Sequence, residues 1–277
     1  MSFFHLSNQI KFSDIRESEV FLSYQRAFSL FVFDSSIKRV LELGAGQSTI
    51  IWGYLANRLG WEIHCIDMNP AAMKTKIRDS NIPENILDRV QFYTGVTLPA
   101  TYIKSYYQTY HPTIAGVPLT ELVAHASQYI NTSHDSRKVQ NVIDTLSLSH
   151  FSPQVISSII PDHNLSLWKL IDIYRTPFDE LSERYKELQP EPLLKKLIRK
   201  NKYDIIFLDS GEFSSLPEFD LLSKYILPGT YLVLHDILFP KSFKNWLVAA
   251  AISSSPDFEI LHQDFSLPQG LLIAIKK

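Results

Sequence analysis

The stretch Val40-Leu41-Glu42-Leu43-Gly44-Ala45-Gly46-Gln47-Ser48-Thr49 decides the fold. A short apolar strand runs directly into two glycines one residue apart, and a helix follows over about Thr49 to Leu59. Glycines at a strand–helix turn let the backbone approach a ligand closely, and the start of the helix offers free N–H groups. Glu42 stands inside the strand, where a carboxylate is costly to bury without partners. Downstream, the strand Trp61 to Ile66 ends on Asp67, 21 residues after Gly46. An acid there can accept hydrogen bonds from ribose hydroxyls.

Outward from this core the same rhythm continues. A helix starts at Pro70, and a third strand lies near Arg89 to Tyr93. Upstream, Val20, Phe21, Tyr24, Phe28 and Phe31 recur at helical spacing over 14–34, behind a Ser13 or Asp14 cap. Apolar strands alternating with helices predict a parallel sheet covered on both faces. The rhythm stops over 96–201 and resumes with strand 203–208 ending on Asp209, a helix over 215–226, and strand 231–234 followed by His235-Asp236. A helix over 242–253 and strands near 258–262 and 271–275 complete the chain. The division expected is therefore a main domain of 1–95 with 202–277, and an insertion at 96–201. A structureless loop of that length would be improbable, so the insertion should be helical. It leaves the sheet at the carboxyl edge, where open α/β sheets bind ligands. Either a substrate lid or a structural elaboration would fit that position. Tyr102, Tyr106, Tyr107 and Tyr110, with His111, open it at helix-face spacing, as packing or as an aromatic substrate wall.

Composition narrows the classes. The 277 residues are 45% hydrophobic and 20% charged, with a net charge of −2, so nothing calls for nucleic acid or an anionic membrane as partner. The one basic run, Lys195 to Lys202, reads as the solvated end of a helix. The single cysteine, Cys65, sits in an apolar strand as a structural thiol and allows no internal disulfide, which favours a reducing compartment. No signal-peptide pattern opens the chain, and no apolar run reaches the roughly 20 residues that cross a bilayer. The expectation is a soluble, cytoplasmic protein whose oligomeric state stays open.

Glu42-Leu43-Gly44-Ala45-Gly46 resembles the first motif of class I S-adenosylmethionine-dependent methyltransferases, an acid two residues before G-x-G. A dinucleotide dehydrogenase would need a glycine where Thr49 stands. Tyr203 to Glu212 resembles the family's fourth motif, and with Leu227 to Asp236 it is similar to small-molecule O-methyltransferases of the catechol type and their bacterial relatives. The resemblance covers 40–95 and 202–277. It implies an α/β, Rossmann-like, doubly wound seven-stranded sheet of order 3-2-1-4-5-7-6, the last strand antiparallel. It also implies S-adenosylmethionine as cofactor: Gly44 and Gly46 lining the methionine moiety, Glu42 organising its amino-acid end, and Asp67 holding the ribose. Ala45, Ser48, Met68, Thr94 and Asp209 complete the expected cofactor set. The family's aspartate after strand three is missing from Thr94-Gly95-Val96, so the adenine contact falls to backbone, Thr94 or the insertion.

Asp209 and Asp236 end neighbouring strands, and two hard oxygen ligands there could hold Mg²⁺. The Asn expected after the second Asp is Ile237. A competing reading makes His235 or Asp236 a general base for the acceptor; a third leaves His235 a buried, satisfied histidine. Asp209, His235 and Asp236 are thus the catalytic candidates, and Glu212 is a loop acid facing either ligand or solvent. The function expected is methyl transfer to a small molecule, at a hydroxyl before an amine. A non-catalytic protein keeping the cofactor fold is the alternative.

Overall fold

A computed structural model describes residue 24 and residues 27–79, 82–110, 192–211, 214–237, 244–265 and 270–277. Seven strands form one sheet: β1 (Arg39–Leu43), β2 (Glu62–Asp67), β3 (Val90–Thr94), β4 (Ile205–Leu208), β5 (Tyr231–His235), β6 (Phe258–Asp264) and β7 (Leu271–Lys276). Their order is β3-β2-β1-β4-β5-β7-β6. The first five run parallel, and β7 lies antiparallel between β5 and β6. This is the doubly wound, Rossmann-like arrangement of the class I methyltransferase fold.

Helices follow where the strands end: α1 (Gln47–Leu59), α2 (Pro70–Asp79), α3 (Ala100–Tyr110), α4 (Leu193–Lys200), α5 (Ser215–Ser223) and α6 (Trp246–Ser254). The helix α1 begins two residues before the position expected and ends at Gly60, whose φ of 78° closes the last turn in the left-handed region. The basic run does end a helix, with Arg199 and Lys200 in the last turn of α4. Among the described residues no helix is long and apolar enough to cross a membrane.

Alternation along each strand splits the core into two layers. Val40, Ile63, Phe207 and Val233 join Phe28, Phe31 and Trp52 on one face. Leu41, Leu43, Ile206, Leu208, Leu232 and Leu234 join α4, α5 and α6 on the other. Phe28 stacks on Trp52 with ring centroids 3.8 Å apart, so the segment before β1 closes the first layer. Cys65 is fully buried in β2, where burial pushes its thiol well above its ordinary pKa, in keeping with a structural role. Of the insertion, α3 and α4 are described, at its two ends; the helices expected over 119–188, its lid role and the contacts of Glu212 and His111 lie outside the described residues.

Candidate functional site

Register brings the strand-end acids to one edge. Leu43 of β1 pairs with Ile66 of β2 and with Leu208 of β4, so Gly44, Asp67 and Asp209 follow side by side. Leu208 pairs with Leu234 of β5, which sets His235 and Asp236 next along the same edge. Two halves result, a cleft over β1, β2 and β4 and a charged cluster between β4 and β5.

The cleft has a volume of about 280 Å³. Gly44, Ala45, Asp67 and Met68 line one side, Thr97, Leu98 and Ile103 another, and Asp209, Ser210 and Ser214 a third. Two other surface hollows, one beside Tyr203 and one beside α2, are as large, so chemistry rather than volume marks this one. Gly44 must be glycine: its φ is 93°, and a Cβ there would lie 2.5 Å from the Asp209 carbonyl oxygen. Gly46 is different, because a Cβ would meet only Ser48 Oγ at 3.9 Å. Among the described residues nothing else lies within 4 Å of that point. Asp67 holds the loop through the Ala45 N–H at 2.9 Å and the Asn69 N–H at 2.6 Å, leaving one further acceptor site on each oxygen.

Glu42 lies elsewhere than its expected role suggests. By strand alternation its side chain points with Val40 toward α1, fully buried, and it is not part of the cleft wall. Ser48 donates to Glu42 at 2.6 Å and Thr49 at 2.8 Å, while the Gly46 N–H donates to Thr49 Oγ1 at 2.9 Å. Glu42 therefore reaches the glycine loop through the first turn of α1. Burial pushes its pKa up to about 8, against the pull of the two hydroxyls. Gly46, Ser48 and Thr94 are likewise outside the cleft lining.

A second buried acid was not apparent in the sequence. Glu218, in the first turn of α5, is fully buried and accepts from Thr97 and, at 2.5 Å, from Ser210. Ser210 and Ser214 hydroxyls are 2.8 Å apart. Thr97, Ser210 and Ser214 line the cleft, whereas Thr94 does not.

In the charged cluster, His235 Nδ1 is 3.6 Å from Asp209 Oδ1 and 3.4 Å from Asp236 Oδ1, ion-pair contacts longer than good hydrogen bonds. Lys244 Nζ lies 3.0 Å from Asp209 Oδ1 and 3.0 Å from Asp236 Oδ2. Tyr24 donates to Asp209 Oδ2 at 3.1 Å and lays its ring 4.8 Å from the His235 ring. Burial alone would raise the Asp209 pKa, but Lys244 and His235 outweigh it and hold the carboxyl below its usual range. Burial alone would lower His235; Asp209 and Asp236 outweigh it and hold the imidazole above its ordinary value. Asp236 itself has a φ of 60°, a left-handed conformation that Asp tolerates better than most residues.

Lys244, Asn245 and Tyr24 carried no motif signal; each becomes visible only once the strands are aligned. Asn245 is fully buried and donates to the Leu208 carbonyl at 2.8 Å and the His235 carbonyl at 2.6 Å. It ties together the ends of β4 and β5, and so sets the spacing of Asp209 and Asp236. The Mg²⁺ expectation does not fit this arrangement. The ammonium of Lys244 bridges the two carboxylates proposed as ligands, and Ile237, in place of an oxygen ligand, is fully buried in the core. Only Asp209 of the three catalytic candidates reaches the cleft wall.

No family model matches the chain, and no curated protein matches it in sequence. Several solved structures are similar to it at low identity. An O-methyltransferase from Bacillus cereus, in complex with S-adenosylhomocysteine, is 13% identical over 99% of this chain and 89% of its own, with a TM-score of 0.44. The O-methyltransferase TomG from Streptomyces achromogenes, in complex with S-adenosylmethionine, is 10% identical over 99% and 95%, with a TM-score of 0.38. An RNA methyltransferase from Salinibacter ruber, in complex with S-adenosylhomocysteine, is 12% identical over 92% and 92%, again at 0.38. Likenesses this distant carry no weight for substrate or activity, which rest on the residues of this chain.

Proposed function

We propose that the cleft binds S-adenosylmethionine and that this chain transfers its methyl group to a small-molecule acceptor, at a hydroxyl. The observation that carries the reading is the glycine loop of Gly44 and Ala45 lining the cleft beside Asp67, at the neighbouring strand end. Gly44, Ala45 and Met68 would flank the methionine and ribose portions, and Thr97, Ser210 and Ser214 the adenine. Glu42 would act on the amino-acid end through the Ser48–Thr49 turn rather than by direct contact.

When bound, the cofactor supplies a sulfonium methyl that a nucleophilic atom displaces in line. The chain's part is to hold that atom at near-attack distance, roughly 3–3.5 Å. Asp209 is the acid on the cleft wall, and Lys244 and His235 keep it ionised. It would accept the hydrogen bond of the acceptor O–H and so orient the oxygen. A carboxylate of lowered pKa is a weak base for a hydroxyl, yet strong enough for the acidic oxonium that methylation leaves behind. His235 and Asp236, behind Asp209, would set its charge and position, because neither lines the cleft.

Calorimetry tests the first half: S-adenosylmethionine or S-adenosylhomocysteine binds the folded protein and raises its melting temperature by mass action. Gly46→Val or Asp67→Ala removes most of that binding. Absence of binding at about millimolar ligand, where this linkage would still register, overturns the reading. Methyl transfer from labelled cofactor across a panel of hydroxyl compounds tests the second half, and binding without turnover on any acceptor would favour a non-catalytic cofactor protein.

A further inference from the structure

We infer that Lys244 is a built-in cation standing where a divalent ion would have to sit, and that the Asp209–Asp236 pair works without a metal because of it. Removing the ammonium should turn the pair into a divalent-cation site.

Asp209, His235 and Asp236 each offer one ligand atom, and these atoms lie within 4.8 Å of one another. Such a constellation suits a shared cation. The cation present is Nζ of Lys244, 3.0 Å from an oxygen of each carboxylate. A divalent ion bound by the same two oxygens at roughly 2.0–2.6 Å would fall into contact with that ammonium. Both steric overlap and like charge forbid the two cations together.

The lysine is also held in place. Its neighbour Asn245 is pinned by side-chain bonds to Leu208 and His235, and its own N–H donates to the Asp236 carbonyl at 3.1 Å. The backbone of Lys244 is therefore registered against both strand ends, unlike a surface lysine free to swing away. Electrostatics calls for it as well. The side chains of Asp209 and Asp236 are only 15% and 10% exposed, and two carboxylates so poorly solvated repel unless a cation lies between them. The residue that could have supplied a third oxygen is the buried Ile237. An ammonium gives one charge and hydrogen bonds, and needs no oxygen ligand there.

The inference concerns the cluster alone and holds whether or not the chain transfers methyl groups. Its test is Mn²⁺ titration of the full chain by calorimetry and paramagnetic resonance, with melting curves alongside. Wild type is expected to show no saturable site at about 1 mM Mn²⁺, and its melting temperature should be indifferent to Mn²⁺ and to chelator. Lys244→Ala and Lys244→Met are expected to gain one saturable site with Kd of about 10⁻³ M or tighter, and to melt higher when Mn²⁺ is added. Adding Asp236→Asn to either variant should abolish the gain. Folded lysine variants that acquire no site overturn the inference. If neither variant folds, wild type decides: a saturable Mn²⁺ site that Asp236→Asn removes overturns it, and the absence of one upholds it.

Discussion

Glu42→Gln makes the fully buried acid of β1 a neutral group of the same shape. In the wild type the Glu42 pKa moves from 4.5 to about 8 on folding, chiefly through burial. The unfolded chain has this carboxyl ionised at pH 7, whereas the folded chain keeps it protonated, so folding takes up a proton. A raised folded-state pKa gives stability that is fully present below 4.5 and is lost as pH rises toward about 8. The slope is about 1.4 kcal/mol per pH unit in that window, so Glu42 should remove about 3 kcal/mol between pH 5 and pH 7. Gln carries no such linkage. Its amide can accept from one hydroxyl of Ser48 and Thr49 and donate to the other. Urea unfolding of both proteins at pH 5, 6, 7 and 8 is the assay, and the difference between the curves isolates Glu42 from every other titrating group. The variant should be the more stable protein by a margin that widens with pH and levels off near pH 8. A difference that is constant across this range would refute the reasoning, since it would mean that Glu42 has the same proton affinity folded and unfolded.

Two further outcomes follow from the geometry. Gly44→Ala forces a Cβ to within 2.5 Å of the Asp209 carbonyl at a φ of 93°, and should lose about 2–4 kcal/mol from backbone strain and overpacking, read as a melting temperature lower by about 5–10 °C; a shift under a degree would remove the close-approach account. Asn245→Ala leaves the Leu208 and His235 carbonyls without their buried donor and should cost about 2–4 kcal/mol in urea unfolding, whereas a neutral result would mean that the ends of β4 and β5 hold their spacing without it.

The strands, their order of appearance and the glycine turn were legible in the residues themselves. Apolar runs bounded by Gly, Pro and acids report local chemistry, and each lies within a few positions of where the strand stands. Asp67 and Asp209 were legible for the same reason, as acids at the ends of apolar strands. Glu42 was legible as a buried acid, but its direction was not. Strand alternation turns it under α1 and away from the cleft, a fact that depends on which face α1 covers. Lys244 and Asn245 follow β5 in sequence by several residues with no pattern to mark them, and Tyr24 lies 185 positions from the Asp209 that it touches. Glu218 reads in sequence as an ordinary helix acid, and only packing of α5 against the loop after β3 places it beneath Thr97 and Ser210. Lys244 is missing from the metal expectation for this reason. Two strand-end aspartates could be counted along the chain, but the ammonium between them is brought there by tertiary structure. Local periodicity is set by neighbours in sequence and survives in the string of letters; the partner of a buried charge is set by what the fold carries to it, across any separation in the chain.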